Sequence, residues 1–218
     1  MAASNPSPAT SLRVLRIGDR WTYGAAGTLT SPGGEPLAVT GRITVTIEQD
    51  RLLGRDHQMA IVFSQQLEIT QKDGAKQPLP APEWMFSFIQ DPTTLDISIA
   101  ADNMTRDGSP RVAKVPQVFY PGRWSSRTAY RNRLDFEGGD HVDNTLTVTG
   151  EEQVETALGY LSSWVATISS ESAATGLIEG MDWWTPELGA PAKFSTKSKM
   201  PDGSEMQFAA TLTSTSVR

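Results

Sequence analysis

Six polar residues crowd one short segment and are the side chains of this sequence best placed to bind a metal ion. They are Asp135, Glu137, Asp140, His141, Asp143 and Asn144. Oxygen ligands this close together can surround a hard cation such as calcium. Their spacing matches no EF-hand, however, and the segment contains a Gly-Gly hairpin turn. We therefore predict a solvated acidic loop, with a metal site as the alternative.

Catalysis by a nucleophile and a base would have to use one of two histidines, His57 or His141. Neither accompanies a Gly-x-Ser-x-Gly elbow, so both are interpreted as surface residues. Glu151, Glu152 and Glu187 could serve as paired carboxylates, but spacing along strands does not reveal which carboxylates face each other. The glycines lie in hairpins and form no phosphate-binding loop. The sequence thus predicts no catalytic residue, no metal and no cofactor.

Five aromatic residues are the candidate ligand-binding side chains, namely Tyr120, Trp124, Trp164, Trp183 and Trp184. Such side chains stack on sugars or line apolar grooves. They also stand at the entries and ends of predicted strands, where large side chains close a sheet, so a core role is the stronger interpretation. Neighbours in a strand point to opposite faces. One of Trp183 and Trp184 is therefore expected in the core, and the other outside or on a concave surface.

Composition excludes several classes of protein. The net charge is −6 and the pI is about 5.0, which argues against nucleic-acid binding. The one basic group, Arg123, Arg127, Arg131 and Arg133, alternates with polar residues as on the solvent face of a strand. The absence of cysteine excludes disulfides, thiolate nucleophiles and thiolate-bound zinc or iron–sulfur centres. No stretch approaches the ~20 apolar residues of a membrane span.

The first eleven residues are rich in Ser, Ala, Pro and Asn. They contain neither the charged region nor the apolar region of a signal peptide. We predict a flexible lead, of the kind that often follows a removed export signal or a lipid anchor. The predicted location is extracytoplasmic, in the periplasm or at the cell surface.

Eight segments carry β-branched or aromatic residues in near alternation, which predicts strands. They are Leu12–Ile17, Arg20–Thr30, Gly41–Gln49, His57–Thr70, Ser125–Phe136, Val142–Thr149, Ala192–Lys199 and Glu205–Val217. Hairpin turns of Gly, Asp and Pro separate them, which indicates antiparallel pairing. Residues 71–82 and 105–116 are predicted to be loops. The fold class is therefore all-β, as a curved sheet or half-barrel.

The segment 151–164 is the one place where a helix competes with a strand. Val154, Leu158 and Leu161 have helical spacing, and acidic residues precede them. Gly159 and the serines disfavour a helix interior. We predict a strand that turns near Gly159 into a second strand over Leu161–Ser169, with a short helix as the alternative.

Two signals in the chain occur twice at the same spacing. Arg20-Trp21 followed by Ile43–Thr46 returns as Arg123-Trp124 followed by Leu146–Thr149, 103 positions later in both cases. This predicts two tandem pseudo-repeats of one β unit. The predicted division is a lead over 1–11, a first unit over 12–110 and a second over 111–218, which can pack as one continuous domain.

Three segments of the second unit resemble a family of bacterial secreted or lipoprotein-type β-rich domains of unknown function. They are Phe119–Trp124, Val154–Val165 with its Gly159 and Trp164, and Trp183–Lys193. Ala157-Leu158 and Ala192 depart from the family pattern, which has Pro-Ala and Val there. The family is similar at the level of fold to periplasmic lipoprotein carriers, whose half-open barrels hold acyl chains. The resemblance implies a hydrophobic small molecule, a lipid or a protein as partner.

These observations predict a non-enzymatic, extracytoplasmic binding or structural domain. Its concave, aromatic-bearing face would contact an apolar ligand or a protein partner. A carbohydrate-active or hydrolytic protein with carboxylate catalysis is one alternative. A self-assembling structural subunit is the other, since like units can pair edge to edge.

Overall fold

The computed structural model describes residues 10–54, 58–80, 82–105 and 108–217 and contains only strands and connecting turns in these ranges. The strands are β1 (Thr10–Ser11), β2 (Arg20–Thr30), β3 (Leu37–Gln49), β4 (Met59–Thr70), β5 (Lys76–Leu79), β6 (Trp84–Gln90), β7 (Ile97–Asp102), β8 (Arg111–Tyr120), β9 (Arg123–Trp124), β10 (Ala129–Asp135), β11 (His141–Thr156), β12 (Gly159–Ser172), β13 (Gly176–Thr185), β14 (Ala190–Lys199) and β15 (Glu205–Ser216). The predicted all-β class is confirmed.

Thirteen strands form one antiparallel sheet in the order β10-β11-β12-β13-β14-β15-β2-β3-β4-β6-β7-β8, with β5 paired to β4. The sheet curls until its two edge strands meet. Ala113 of β8 bridges Phe136 just after β10, the backbone N–H of Glu137 donates to the Val112 carbonyl at 2.8 Å, and the Asn132 side chain donates to the Val118 carbonyl. The result is a nearly closed, barrel-like sheet, as the prediction of a curved sheet anticipated.

Alternation along the strands explains which face each one buries. In β3, Val39, Ile43, Val45 and Ile47 are buried, and the residues between them are exposed or half-buried. The buried side chains point into the curled sheet and meet those of the other strands in one core. Its largest fully buried members are Trp21, Trp124, Tyr23, Phe88 and Phe136.

Seven of the eight predicted strands are present, and the predicted turn at Gly159 separates β11 from β12. The strand predicted over Leu12–Ile17 is wrong. This segment bonds in turn to separate elements, from the Leu12 N–H to the Gly122 carbonyl at 2.8 Å and from the Leu15 N–H to Gln90 Oε1 at 2.9 Å. Gln90 also donates from Nε2 to the Arg13 carbonyl at 3.0 Å. These scattered bonds hold the segment across one end of the sheet without forming a ladder.

The loop predicted over 105–116 is also wrong in its second half, because β8 begins at Arg111. Similarly, β5 lies within the loop predicted over 71–82, and β6, β7 and β13 were not predicted. Polar or short strands of this kind gain their partners only in the assembled sheet.

The two halves of the chain share one sheet through the pairing of β15 with β2. Trp21 and Trp124, the repeated tryptophans, are both buried, at 1% and 0% exposed. Their strands pair differently, since Trp21 lies opposite Val45 of β3 and Trp124 lies opposite Thr10 of β1. The two tandem repeats and the division at residues 110 and 111 stay predictions.

Gly27 lies where β2 approaches β15 too closely for a side chain. A Cβ atom there would lie 2.0 Å from the carbonyl oxygen of Gln207, whereas one at Gly24 of the same strand would meet only the Thr213 methyl at 3.5 Å. Gly27→Ala is expected to lower the free energy of unfolding by about 1–3 kcal/mol through overpacking against backbone. Urea denaturation measures this, with Gly24→Ala as the matched control; equal effects of the two variants would contradict it.

Candidate functional site

Four of the five predicted site residues meet on the inner face of the sheet. The rings of Trp124 and Trp184 stack with centroids 5.4 Å apart at 13°, and Tyr120 lies against Trp184 at 5.0 Å. Trp164 is the cross-strand partner of Trp184. We call Tyr120, Trp124, Trp164 and Trp184 the aromatic cluster. Such contacts add about 0.5–1.5 kcal/mol per pair beyond the burial of area.

Each member reaches the cluster from a different part of the sheet. Tyr120 ends β8, Trp124 lies in β9, and the pairing of β12 with β13 sets Trp164 beside Trp184. The Trp124 indole donates to the Pro121 carbonyl at 2.9 Å. The buried Nε1 of Trp184, in contrast, has no hydrogen-bond partner among the described residues. The cluster therefore contains one unsatisfied donor.

Trp183 lies on the opposite face, as expected for adjacent residues of a strand. It is half-buried, donates from Nε1 to Glu152 Oε2 at 2.7 Å, and has the Lys193 ammonium 4.6 Å from its ring. The prediction that one of the two adjacent tryptophans is in the core and the other is outside is confirmed. Trp183 and Glu152 form a surface contact that is separate from the aromatic cluster.

Asp182 is a buried carboxyl group beside the cluster that sequence analysis missed. It is 8% exposed and lies between Ala166 of β12 and Phe194 of β14 in the register of the sheet. No hydrogen bond to its carboxylate occurs within the described residues. Burial raises the pKa of Asp182 to about 7. Alternation could have located it, because Asp182 lies two residues before Trp184 and therefore on the same face.

Two tyrosines lie near this carboxyl group. The pKa values of Tyr23 and Tyr120 are raised, first by burial and then by the charge of Asp182. The Tyr23 hydroxyl already donates to the Pro191 carbonyl at 3.0 Å. Asp182 is thus surrounded by aromatic rings and has no donor of its own, an arrangement that disfavours its charged form.

Side chains of the acidic segment after β10 contact one another and residues of neighbouring strands. Asp140 pairs with Arg111, His141 Nε2 lies 3.5 Å from Asp143 Oδ2, and buried Asn144 accepts from the Ser170 hydroxyl at 3.1 Å. No three His, Asp or Glu side chains converge as a metal site in the described ranges. His57, the other histidine, lies outside those ranges.

Arg131 and Arg133 are exposed, as predicted for the solvent face of a strand.

Two open depressions in the described surface lie away from the aromatic cluster. One is lined by Gly180, Thr196 and Gln207 among others, and the second lies between β3, β4 and β5. Leu12 and Leu15 of the segment 12–19 pack in the same core as Trp124, Trp164 and Trp184. A Cβ atom on Gly189 would lie 2.7 Å from the Arg13 side chain and 2.9 Å from Leu15, so this segment packs directly on the turn after β13.

Comparison with known proteins returned two structures and no family. No family model matches the chain, and no curated protein does. A protein of Bacteroides fragilis described as a "putative exported protein with YmcC-like fold" is 11% identical over 95% of this chain and 99% of its own, with a TM-score of 0.38. A "putative lipoprotein" of Parabacteroides distasonis is 10% identical over 96% and 100%, with a TM-score of 0.32. Neither likeness carries a conclusion about function.

The described residues include no helix with the length and apolar character needed to cross a membrane.

Proposed function

We propose that this chain is an extracytoplasmic, non-catalytic binding domain, and that the aromatic cluster with Asp182 receives an apolar ligand that carries a hydroxyl group. One observation carries the proposal. The buried Trp184 Nε1 has no acceptor within the described residues, and Asp182, whose carboxyl is desolvated by burial, lies on the same face of β13. A native interior leaves few such groups unsatisfied, and each costs about 1–3 kcal/mol.

A hydroxyl group would satisfy both residues, because it donates one hydrogen bond and accepts another. It would donate to Asp182 and accept from Trp184. A carboxylate would accept from Trp184 but repel ionised Asp182, and an alkane would match neither. The surrounding rings of Tyr120, Trp124 and Trp164 favour an apolar body for the ligand.

Access to the cluster requires that the segment 12–19 moves. Its attachments include the N–H groups of Leu12 and Leu15, the Arg13 carbonyl bonded by Gln90, and two backbone bonds that join Gly18 and Asp19 to Ile47. None of these bonds belongs to a strand ladder, so the segment should open at a lower free energy than the paired core strands, although Leu12 and Leu15 are buried. The proposed location outside the cytoplasm is supported by the small, polar lead and by the resemblance to secreted domains.

Binding of 1-dodecanol, followed by tryptophan fluorescence and by native mass spectrometry, tests the proposal. We expect saturable 1:1 binding. Trp184→Phe keeps the ring and removes the N–H, so affinity should fall about fivefold, the value of one hydrogen bond. Trp183→Phe, on the outer face, is the matched control and should leave affinity unchanged. No saturable binding, or equal losses in both variants, would overturn the proposal.

A further inference from the structure

Charge is distributed very unevenly along this chain. Residues 134–192 contain eleven Asp and Glu and no Lys or Arg. This range covers β11, β12 and β13, which are neighbours in the sheet. Three adjacent strands therefore present an acidic surface, although the whole chain carries a net charge of only −6.

The hairpin of β11 and β12 extends beyond its neighbours as a two-stranded ribbon. Thr147 is the last β11 residue with a partner in β10, and Trp164 is the first β12 residue with a partner in β13. We call residues 150–163 the ribbon. In the described ranges its outer edges form no ladder with another strand, and one backbone hydrogen bond, from the Ala157 N–H to the Leu212 carbonyl at 3.4 Å, joins its tip to β15. A two-stranded ribbon in water is marginally stable and gains from being covered.

The tip of the ribbon exposes apolar side chains. Tyr160 is 71% and Leu158 46% exposed. The turn between them is well fixed, since the Thr156 hydroxyl donates to the Gly159 carbonyl at 2.9 Å and accepts from the Leu158 N–H at 3.1 Å. Glu155 lies directly opposite Tyr160 in the register. An apolar tip with an acidic rim results.

Three arginines of opposite charge lie on β9, on the turn that follows it and on the edge strand β10 of the same chain. Arg123, Arg127 and Arg131 are exposed, and none of them forms an ion pair with another described residue. Arg131 belongs to β10, which pairs fully with β11 on one side. On its other side β10 meets β8 without a ladder, through the bridge from Ala113 to Phe136 and the hydrogen bonds from Glu137 to Val112 and from Asn132 to Val118. Val115 of β8, exposed at 61%, adds an apolar side chain near this edge.

One copy cannot bring the two surfaces together. The ribbon leaves the sheet beyond Thr147, opposite the first residue of β10. Its tip at Thr156 lies nine residues further, which is roughly 30 Å along an extended strand. The bond from Ala157 to Leu212 holds the tip near β15, which is five strands from β10 in the sheet order, and so away from Arg131 of its own chain.

We propose that two copies of this chain associate reciprocally, with the ribbon of each copy lying on the arginine-bearing edge strand of the other. Leu158 and Tyr160 are buried against the edge near Val115, and Glu155 faces Arg131 of the second copy. A two-fold arrangement uses the same two patches twice and closes on itself. The charges orient the pair, and the apolar tip supplies buried area.

Sedimentation velocity of the full chain tests this dimer. We expect a dimer at about 0.1 M salt that dissociates at about 1 M salt, where the Debye length falls from about 10 Å to about 3 Å. Glu155→Lys and Arg131→Glu should each weaken dimerisation more than tenfold, because each brings like charges together. An equimolar mixture of the two variants should form a heterodimer, because both of its interfaces then join opposite charges.

Two further variants complete the test. The double variant Leu158→Ser and Tyr160→Ser changes only exposed side chains, so it should fold normally and remain monomeric. Glu35→Lys alters an exposed glutamate that pairs with Lys72, and it should leave the dimer intact. A monomer at every concentration, or a dimer that both charge reversals leave unchanged, would overturn the proposal. These outcomes are independent of ligand binding in the aromatic cluster.

Discussion

Arg111→Met is expected to lower the free energy of unfolding by about 3–5 kcal/mol, the usual cost of leaving buried charges without their partner. The Arg111 guanidinium bonds Asp102 through Nε at 2.8 Å and Nη2 at 2.9 Å and pairs with Asp140 through Nη1. It also lies 4.2 Å above the Phe136 ring. The variant would leave Asp102, which is 3% exposed, without a counter-charge, with the Met104 N–H at 3.0 Å as its remaining donor.

This ion-pair network lies where the sheet closes on itself. Arg111 and Asp102 belong to β8 and β7, and Asp140 belongs to the turn between β10 and β11. Only one bridge and a few hydrogen bonds otherwise join these edges. We therefore expect amide hydrogen exchange in β8 and β10 of Arg111→Met to increase more than in β2 or β3.

Chemical denaturation measures the effect, and Arg133→Met is its matched control. Arg133 pairs with Asp135 at 3.3 Å, but both side chains are more than half exposed, so its removal should cost no more than about 1 kcal/mol. Replacing all three charges, with Asp102→Asn and Asp140→Asn added, should recover much of the loss. A cost for Arg111→Met as small as that of the control would refute the network's role.

Asp182→Asn is expected to change the free energy of unfolding differently at pH 8 and at pH 4. The change should be about 4 kcal/mol more stabilising at pH 8. Burial raises the pKa of Asp182 to about 7 from 3.8, so the folded protein binds this proton more tightly than the unfolded chain does. The stability that this group contributes is fully present below pH 3.8 and is lost as the pH rises to about 7. Above that pH the loss is complete and does not change further. Asparagine stays neutral throughout and removes this loss.

Thermal and urea unfolding of both proteins from pH 4 to pH 8 check the prediction. The difference in the free energy of unfolding should increase by about 1.4 kcal/mol per pH unit between these pKa values. Glu179→Gln is the matched control, because Glu179 lies on the same strand and is exposed. A constant difference across this range would show that Asp182 is not buried as described.

Strand positions were predictable wherever side chains alternate clearly. β2 matches its prediction from Arg20 to Thr30. At Gly159 the predicted turn between two strands is present, and the alternative helix suggested by Val154, Leu158 and Leu161 is not. Alternation also separated Trp183 from Trp184. These successes share a cause, since a strand with one buried face must alternate, and a glycine in the left-handed region, such as Gly159 with φ of 101°, favours a turn.

The failures involve groups whose environment comes from distant strands. Arg111 looked like part of a polar loop because its partners, Asp102 and Asp140, belong to elements that meet only when the sheet closes. Alternation predicts that Leu12 and Leu15 belong to a strand, whereas in the structure they lie across the end of the sheet. The sequence does not distinguish Asp182 from an exposed residue, because a lone carboxyl group in a strand is usually solvated.

Residue order alone therefore establishes an antiparallel all-β chain without cysteine chemistry, with tryptophans that close a sheet. Local patterns suffice for this, because alternation and turn propensity act over a few residues. The meeting of β8 with β10, the desolvation of Asp182 beside Trp184, and the projection of the ribbon arise from packing between strands far apart in the chain. Burial and ion pairing at those places depend on which surfaces curvature brings together, and no short-range pattern encodes that curvature.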